Sequence, residues 1–252
     1  MANEPQSAVF TTVLWDGGSK IADFDLHLNR LKKHAKRLRI TLPNNLIEMI
    51  IQQLTENNGG IQLLNITYDV AQDEIRLTPR QLPSVRNCDI HAMTLSMNYW
   101  VGEITGTKHG DWQPYLNAKT LANDNDADLA LLIDEYCIID SDRANLIVID
   151  EDGVAYATNS NKSVEGVTQE ILTSNLEKMG IPLNYGKLNE RLVARCSEMI
   201  AVGVGLGCCR IVTIDGESIG HEHPVAYPNF VAYLAQHYSN SNNWVDLCEL
   251  PV

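Results

Sequence analysis

Residues 9–31 read VFTTVLWDGGSKIADFDLHLNRL, and this stretch decides how the chain starts to fold. Val9 to Trp15 has the apolar-polar alternation of a strand, Asp16-Gly17-Gly18 supplies a turn, and Lys20 to Phe24 returns, which predicts an opening hairpin. A helix follows directly, with Asp25 as its candidate cap. Leu28, Leu31, Ala35 and Leu38 fall at helical spacing, while Arg30, Lys32, Lys33, Lys36, Arg37 and Arg39 fill much of the remainder. The helix therefore has a single core face.

Working outward, the pattern predicts a helix over 44–54, stopped by Asn57-Asn58-Gly59-Gly60, and strands over 61–68, 74–78 and 89–97. Between Trp100 and Gly110 the periodicity lapses into Gly, Thr and charged residues. An α+β unit over 1–100, an interdomain loop over 101–107 and a second unit over 108–252 follow from that lapse. In the second unit a helix is expected over 115–122, and strands over 128–134, 137–140 and 144–149. Asp150-Glu151-Asp152-Gly153 then turns into a strand over 154–158. Ser163 is placed to cap a helix running to Lys178 and closed by Gly180. Strands over 198–204 and 209–214 precede a helix over 225–237 that is expected to end the chain.

The 252 residues are 44% apolar and carry nineteen basic against thirty-two acidic groups, a formal charge of −13. That field repels phosphate polymers and anionic membrane surfaces, so neither a nucleic acid nor a membrane is the expected partner. The first residues, Met1-Ala2-Asn3-Glu4-Pro5, have neither a charged n-region nor an apolar h-region, and a cytoplasmic location is expected. The six cysteines form no C-x-x-C pair, and His221-Glu222-His223 offers only two histidines in a Gly-Pro-bounded loop. The cysteines are read as buried thiols, and no metal is assigned.

Five short segments carry chemistry: Phe10-Thr11-Thr12; His27-Leu28-Asn29-Arg30-Leu31; Lys108-His109; Asp140, five residues before Asn145-Leu146; and Gly166-Val167-Thr168 at the head of an apolar-periodic run. A buried phosphate is met by a guanidinium and free backbone amides, a reactive aldehyde by an amine, and a pyridine nitrogen by a carboxylate. One candidate for each is present. Together these are the requirements of pyridoxal 5′-phosphate (PLP).

In order and spacing the segments resemble the class IV aminotransferases, the fold-type IV PLP enzymes that include branched-chain and D-amino-acid aminotransferases and aminodeoxychorismate lyase. The likeness runs from about Val9 to Gly220. It implies a two-domain α+β fold like that of D-amino-acid aminotransferase, with a smaller N-terminal α/β sandwich and a larger, barrel-like C-terminal domain with helices. Lys108, twenty-two residues before Ala130-Leu131-Leu132-Ile133-Asp134, matches the Schiff-base lysine; Lys119 is the rival, at half that distance in an expected solvated helix. Arg30 matches the residue that holds the cofactor phosphate. Asp140 stands where the family has a glutamate against the pyridine nitrogen.

By the same resemblance, Gly166-Val167-Thr168 matches a phosphate-gripping turn, with Gln169 in place of its usual arginine. Gly203 and Val204 occupy a second phosphate-binding strand end, Val204 replacing a threonine. Thr12 matches the threonine of the lyase branch. Asp111 replaces an asparagine, and Asp69-Val70-Ala71-Gln72-Asp73 has no arginine to clamp a substrate carboxylate. The resemblance thus implies a PLP-dependent aminotransferase working on a small amino acid and keto acid, as a homodimer. An aminodeoxychorismate lyase-type enzyme and a catalytically weakened PLP-binding relative stay open beside it.

Overall fold

The structure is a computed structural model that describes residues 4–54 and 60–250. In chain order it contains β1 (Ala8–Trp15), β2 (Lys20–Ala22), α1 (Phe24–Leu38), α2 (Leu46–Gln53), β3 (Gln62–Asp69), β4 (Glu74–Arg80) and β5 (Asp89–Ser96). Next come α3 (Gln113–Asp124), β6 (Leu129–Asp134), β7 (Cys137–Ser141), β8 (Asn145–Ile149), β9 (Ala155–Thr158) and α4 (Val167–Thr173). The last third holds β10 (Leu183–Gly186), β11 (Leu188–Asn189), α5 (Glu190–Ala194), β12 (Glu198–Gly203), β13 (Gly207–Ile214), β14 (Glu217–Ser218), α6 (Ala226–Ser239) and β15 (Trp244–Asp246).

Two sheets result. The smaller runs β15-β2-β1-β3-β4, with β1 paired antiparallel to β3 over its whole length. Val9, Val13 and Trp15 point from one face of β1 into a core closed by Phe24, Leu31 and Leu38 of α1 and by Ile50 of α2. The other face of β1 carries Thr12 and Leu14, because successive residues of a strand point to opposite sides.

The larger sheet runs β10-β9-β8-β12-β13-β5-β6-β7-β11 and curls until β11 approaches β9, giving a nearly closed barrel. Its strands are apolar on both sides, and period two explains why. Leu146, Val148, Met199 and Ala201 fill the interior, while Ile147, Ile149, Ile200 and Val202 pack outward against Leu172 of α4 and Phe230 of α6. Sheet membership crosses residues 101–107 in both directions: β5 lies in the larger sheet and β15 in the smaller. The division between 1–100 and 108–252 expected from the sequence is therefore not a division between sheets.

Several local expectations are corrected. Asp25 does not cap α1; it lies in the first turn, and Asp23 precedes the helix at φ 50° with no side-chain capping bond. Ser163 does not start a helix, because Asp140 and Asn145 take the N–H and the carbonyl of Val164, and α4 begins only at Val167. That helix ends at Thr173, and a separate 3-10 turn over Glu177–Met179 leads to Gly180. The chain continues past α6 into β15, which pairs with β2. The expected stop signal at Asn57-Asn58-Gly59 lies outside the described residues.

One buried carboxylate joins barrel and helix. Glu198, on β12, accepts the N–H groups of Val225 and Ala226 through Oε1 at 2.8 and 2.7 Å and that of Tyr227 through Oε2 at 2.8 Å. It does for α6 what a side-chain N-cap does, from a different element. Glu198→Gln replaces one acceptor oxygen by a donor facing N–H groups. The expected loss is about 2 kcal/mol in urea unfolding, with little change in m; an unchanged midpoint would show that α6 does not need this cap.

Candidate active site

α1 begins the site. His27 and Arg30, both buried, sit one turn apart on the side of the helix facing the junction of the two sheets. Arg30 donates through Nη2 to Thr11 Oγ1 at 2.7 Å and through Nη1 to the Glu165 carbonyl at 3.1 Å. Thr11 Oγ1 lies 3.1 Å from His27 Nδ1; with its oxygen taken by Arg30, its hydroxyl donates to that nitrogen, leaving the imidazole proton on Nε2. Burial first, then the charges of Arg30 and Lys108, hold the His27 ring well below its ordinary pKa.

Arg30 has no carboxylate within ion-pair distance among the described residues, and its Nε is buried without a hydrogen-bond partner. A buried guanidinium is normally paired, because an isolated charge in a low-dielectric site is expensive. The protein groups that Arg30 meets, the Thr11 hydroxyl, the Glu165 carbonyl and His27 Nδ1 at 3.3 Å from Nη2, are all neutral.

Lys108 enters from the segment before α3. Gly106, at φ 83°, packs so tightly on the Asn161 carbonyl that a Cβ there would stand 2.4 Å from it, so the turn into Lys108 requires glycine. The Phe10 N–H donates to the Lys108 carbonyl at 3.3 Å, and His109 bridges to Val9 of β1. The Lys108 amine lies 5.0 Å from the ring centre of Phe10 and 4.6 Å from that of Trp112. Burial, reinforced by Arg30 and opposed by Asp140, with Arg80 adding to the lowering, brings this ammonium down to about 7. At neutral pH a large share of it is free amine.

Asp140 closes the opposite side from β7. It is buried, and each carboxylate oxygen accepts one main-chain N–H, Oδ1 from Ser141 at 2.9 Å and Oδ2 from Val164 at 2.8 Å. Each keeps a lone pair free. Burial pushes this acid up to about 7, against the two N–H groups and the Lys108 charge, which favour ionisation. Nearby, the buried Tyr115 hydroxyl has no partner, and its ring stacks on Trp112 at 4.0 Å.

The floor is glycine-dependent. A Cβ on Gly166 would stand 1.8 Å from Asn145 Oδ1, and Asn145 Nδ2 in turn donates to the Val164 carbonyl at 2.6 Å. Gly166 precedes Val167 and Thr168 at the start of α4, where no side chain caps the helix.

These groups converge on one cleft. It gathers Thr12, Arg30, Lys108 and Asp140 with Val167, Thr168, Gly203 and Val204, the full set of residues singled out from the sequence. Lys119 is exposed on α3 and does not line it. His221, Glu222 and His223 are exposed in the loop before α6.

Comparison with known proteins then fixes the family. The profile described as "Amino-transferase class IV" matches residues 8–214. The chain belongs to the class IV aminotransferase family. No curated protein matches it. Among solved structures it resembles a T.th. branched-chain amino acid aminotransferase complexed with N-(5′-phosphopyridoxyl)-L-glutamate, with TM-score 0.79 and 17% identity over 96% of this chain and 90% of that one. The branched-chain aminotransferase of Thermoproteus uzoniensis with norvaline gives TM-score 0.80 and 15% identity, again over 96% and 90%. A putative 4-amino-4-deoxychorismate lyase from Legionella pneumophila gives 0.77 and 17%, over 92% and 91%. These likenesses confirm the mixed α and β fold of fold-type IV enzymes.

Where this class IV chain departs from the family pattern, the structure gives two of the replacements a local task. Gln169 donates through Nε2 to the Leu146 carbonyl at 3.1 Å, and Asp111 accepts the Trp100 indole N–H at 2.8 Å. Sequence reasoning missed Tyr115, whose place in the first turn of α3, soon after Lys108, was the available signal. It also missed the Asp142–Arg143 pair, 3.0 Å apart, at the cleft's edge.

The raised Asp140 acid ties stability to pH. Its folded pKa, about 7, lies above the unfolded carboxylate value near 3.8, so the folded state holds the proton more tightly across that window. Its contribution is present below pH 3.8 and is lost as pH rises to about 7. Asp140→Asn should therefore flatten the fall in urea midpoint between about pH 4.5 and 7; an unaltered slope would assign that fall to other groups.

Proposed function

We propose that the chain is a PLP-dependent aminotransferase that exchanges the amino group of a small amino acid with a keto acid through Lys108. One observation carries this reading: a partly neutral lysine, an unpaired buried arginine and a buried carboxylate share a single cleft. The residues fit the group. Arg30, with its orphaned Nε, would take the phosphate together with the main chain at Gly166–Thr168 and the Gly203–Val204 strand end. Lys108 would hold the aldehyde carbon covalently, and the free lone pairs of Asp140 would face the ring nitrogen. When bound, PLP supplies an aldehyde that condenses with amines and a ring that takes up electrons from a substrate carbon.

The chain's own residues do the rest. With a pKa of about 7, Nζ of Lys108 can accept a proton from the substrate carbon that bears the amino group and later release it, since a base is most effective when its pKa matches the working pH. The Phe10 and Trp112 rings exclude water on its flanks. Asp140, once ionised, supplies a negative charge beside Arg30 and Lys108. A lyase-type reading is favoured by Thr12, whose hydroxyl lines the cleft and accepts from Asn65 Nδ2 at 3.4 Å. Pyruvate release from aminodeoxychorismate, without a keto-acid acceptor, would select it.

The purified protein incubated with PLP should absorb in the violet. Borohydride should remove the band and leave a pyridoxyl mass on the peptide containing Lys108. Lys108→Met should lose both signals. Arg30→Gln should keep the adduct while weakening PLP about tenfold to a hundredfold, the worth of one charge-assisted contact of roughly 1.5–3 kcal/mol. A label on Lys119, or PLP affinity indifferent to Arg30, would overturn the assignment.

A further inference from the structure

α1 carries the pattern His-x-x-Arg twice, as His27 with Arg30 and as His34 with Arg37, seven residues apart. Seven residues are close to two helical turns, so the four side chains form one stripe. The first pair lines the cleft, but the second does not. His34 and Arg37 instead engage the main chain that delivers Lys108.

His34 is 1% exposed, and its Nδ1 accepts the Lys108 N–H at 3.1 Å. Arg37 donates through Nε to the Glu103 carbonyl at 3.0 Å and through Nη1 to that of Gly106 at 3.3 Å. Its Nη2 reaches the carbonyls of Thr105 at 2.6 Å and Asn161 at 2.9 Å. No carboxylate forms an ion pair with Arg37 among the described residues. On the other side of the same segment, β1 holds the Lys108 carbonyl through the Phe10 N–H. Lys108 is thus pinned at its nitrogen by α1 and at its oxygen by β1.

The imidazole at position 34 satisfies the buried Lys108 N–H at the expense of one of its own groups. As an acceptor at Nδ1 it carries its proton on Nε2, and that nitrogen is buried without a partner. A buried donor left unpaired is unfavourable, and an apolar side chain of similar size would avoid it. What a leucine could not do is accept the Lys108 N–H. Nor can His34 become a third cation near the amine, because burial, then the charges of Arg30, Lys108, Arg37 and Lys33, lower its pKa to about 2.

We infer that His34 and Arg37 are positioning residues, which fix the main chain of Lys108 and thereby the place of its amine in the cleft. This rests on Lys108 being the anchor proposed above. A lysine amine hangs on a four-carbon stem, and small displacements of a reacting group cost large factors in rate. Pinning both sides of the peptide removes freedom that the stem would otherwise multiply.

The test uses the full chain stripped of cofactor, with PLP as the probe. The rate of borohydride-trapped labelling of Lys108 is followed by peptide mass between about pH 6 and 11, a range that spans the shifted and ordinary lysine values. His34→Leu, which removes the acceptor, should label about tenfold more slowly, with its pH midpoint moved up toward that of an ordinary lysine. His34→Gln, which restores a carbonyl acceptor, should recover most of the rate and midpoint. Arg37→Lys keeps the charge at a half-buried site but loses the fork, and it should slow labelling in the same direction, covering the case in which His34→Leu does not fold. Folded variants that label at the wild-type rate and midpoint would overturn the positioning role alone. A wild-type protein that takes no label at Lys108 would overturn the reading beneath it.

Discussion

Arg30 and Lys108 line a cleft in which Asp142 and Arg143 pair with each other and Asp140 is the remaining carboxylate, and the rest of the structure is organised around that imbalance. Arg30 is buried with no carboxylate partner, and Lys108 makes no ion pair among the described residues. Of the carboxylates lining the cleft, Asp142 is paired with Arg143, which leaves Asp140 to oppose them, and burial raises its pKa to about 7, so its negative charge is itself incomplete at neutral pH. Such a site is poorly satisfied without an added anion. The surplus positive charge is local, in a chain whose net charge is −13. An anionic small molecule drawn there is attracted by the cleft and not by the surface as a whole.

The scaffold meets this demand by giving single elements two roles. α1 buries Phe24, Leu31 and Leu38 against the smaller sheet while its His27–Arg37 stripe faces the site and the chain leading into it. β1 buries Val9, Val13 and Trp15 on one face and presents Thr12 to the cleft on the other. Asp140 and Asn145, at neighbouring strand ends of the barrel, hold the run up to Gly166, so the loop that would meet a phosphate is tethered to the carboxylate that would meet a ring. A displacement of that loop would disturb both contacts together.

Much of this was legible in the sequence, and the reasons differ by element. The Leu28, Leu31, Ala35 and Leu38 stripe located α1 because helical periodicity is local. The doubly apolar strands of the barrel stood out as short apolar runs between turns. The cleft residues were singled out through the order and spacing of motifs, and they line one cleft. What escaped was non-local. β10, β11 and β15 are two to four residues long, and strand pairing across the fold, not their own pattern, makes them strands. The start of α4 was misplaced because Ser163 has the chemistry of a cap, whereas the contacts from Asp140 and Asn145 that keep it out of the helix come from 18 to 24 residues earlier. Arg37 looked like one more solvated cation in a basic face until the carbonyls it reaches, up to 124 residues away, came into view.

The substitutions at Asp140, Gln169 and Val204 need not mean a failing site. A carboxylate one methylene shorter than glutamate reaches less far, but here it is anchored by two main-chain N–H groups, so it stands in one place with lone pairs to spare. Gln169 forgoes a charge and instead ties α4 to the Leu146 carbonyl, which stiffens the helix whose first turn borders the cleft. With that second cation gone, phosphate binding would fall more heavily on Arg30, and an Arg30 whose Nε has no protein partner is the residue able to take up the difference. On the function proposed above, the loss on α4 and the unpaired donor on α1 would be complementary features of one anion site.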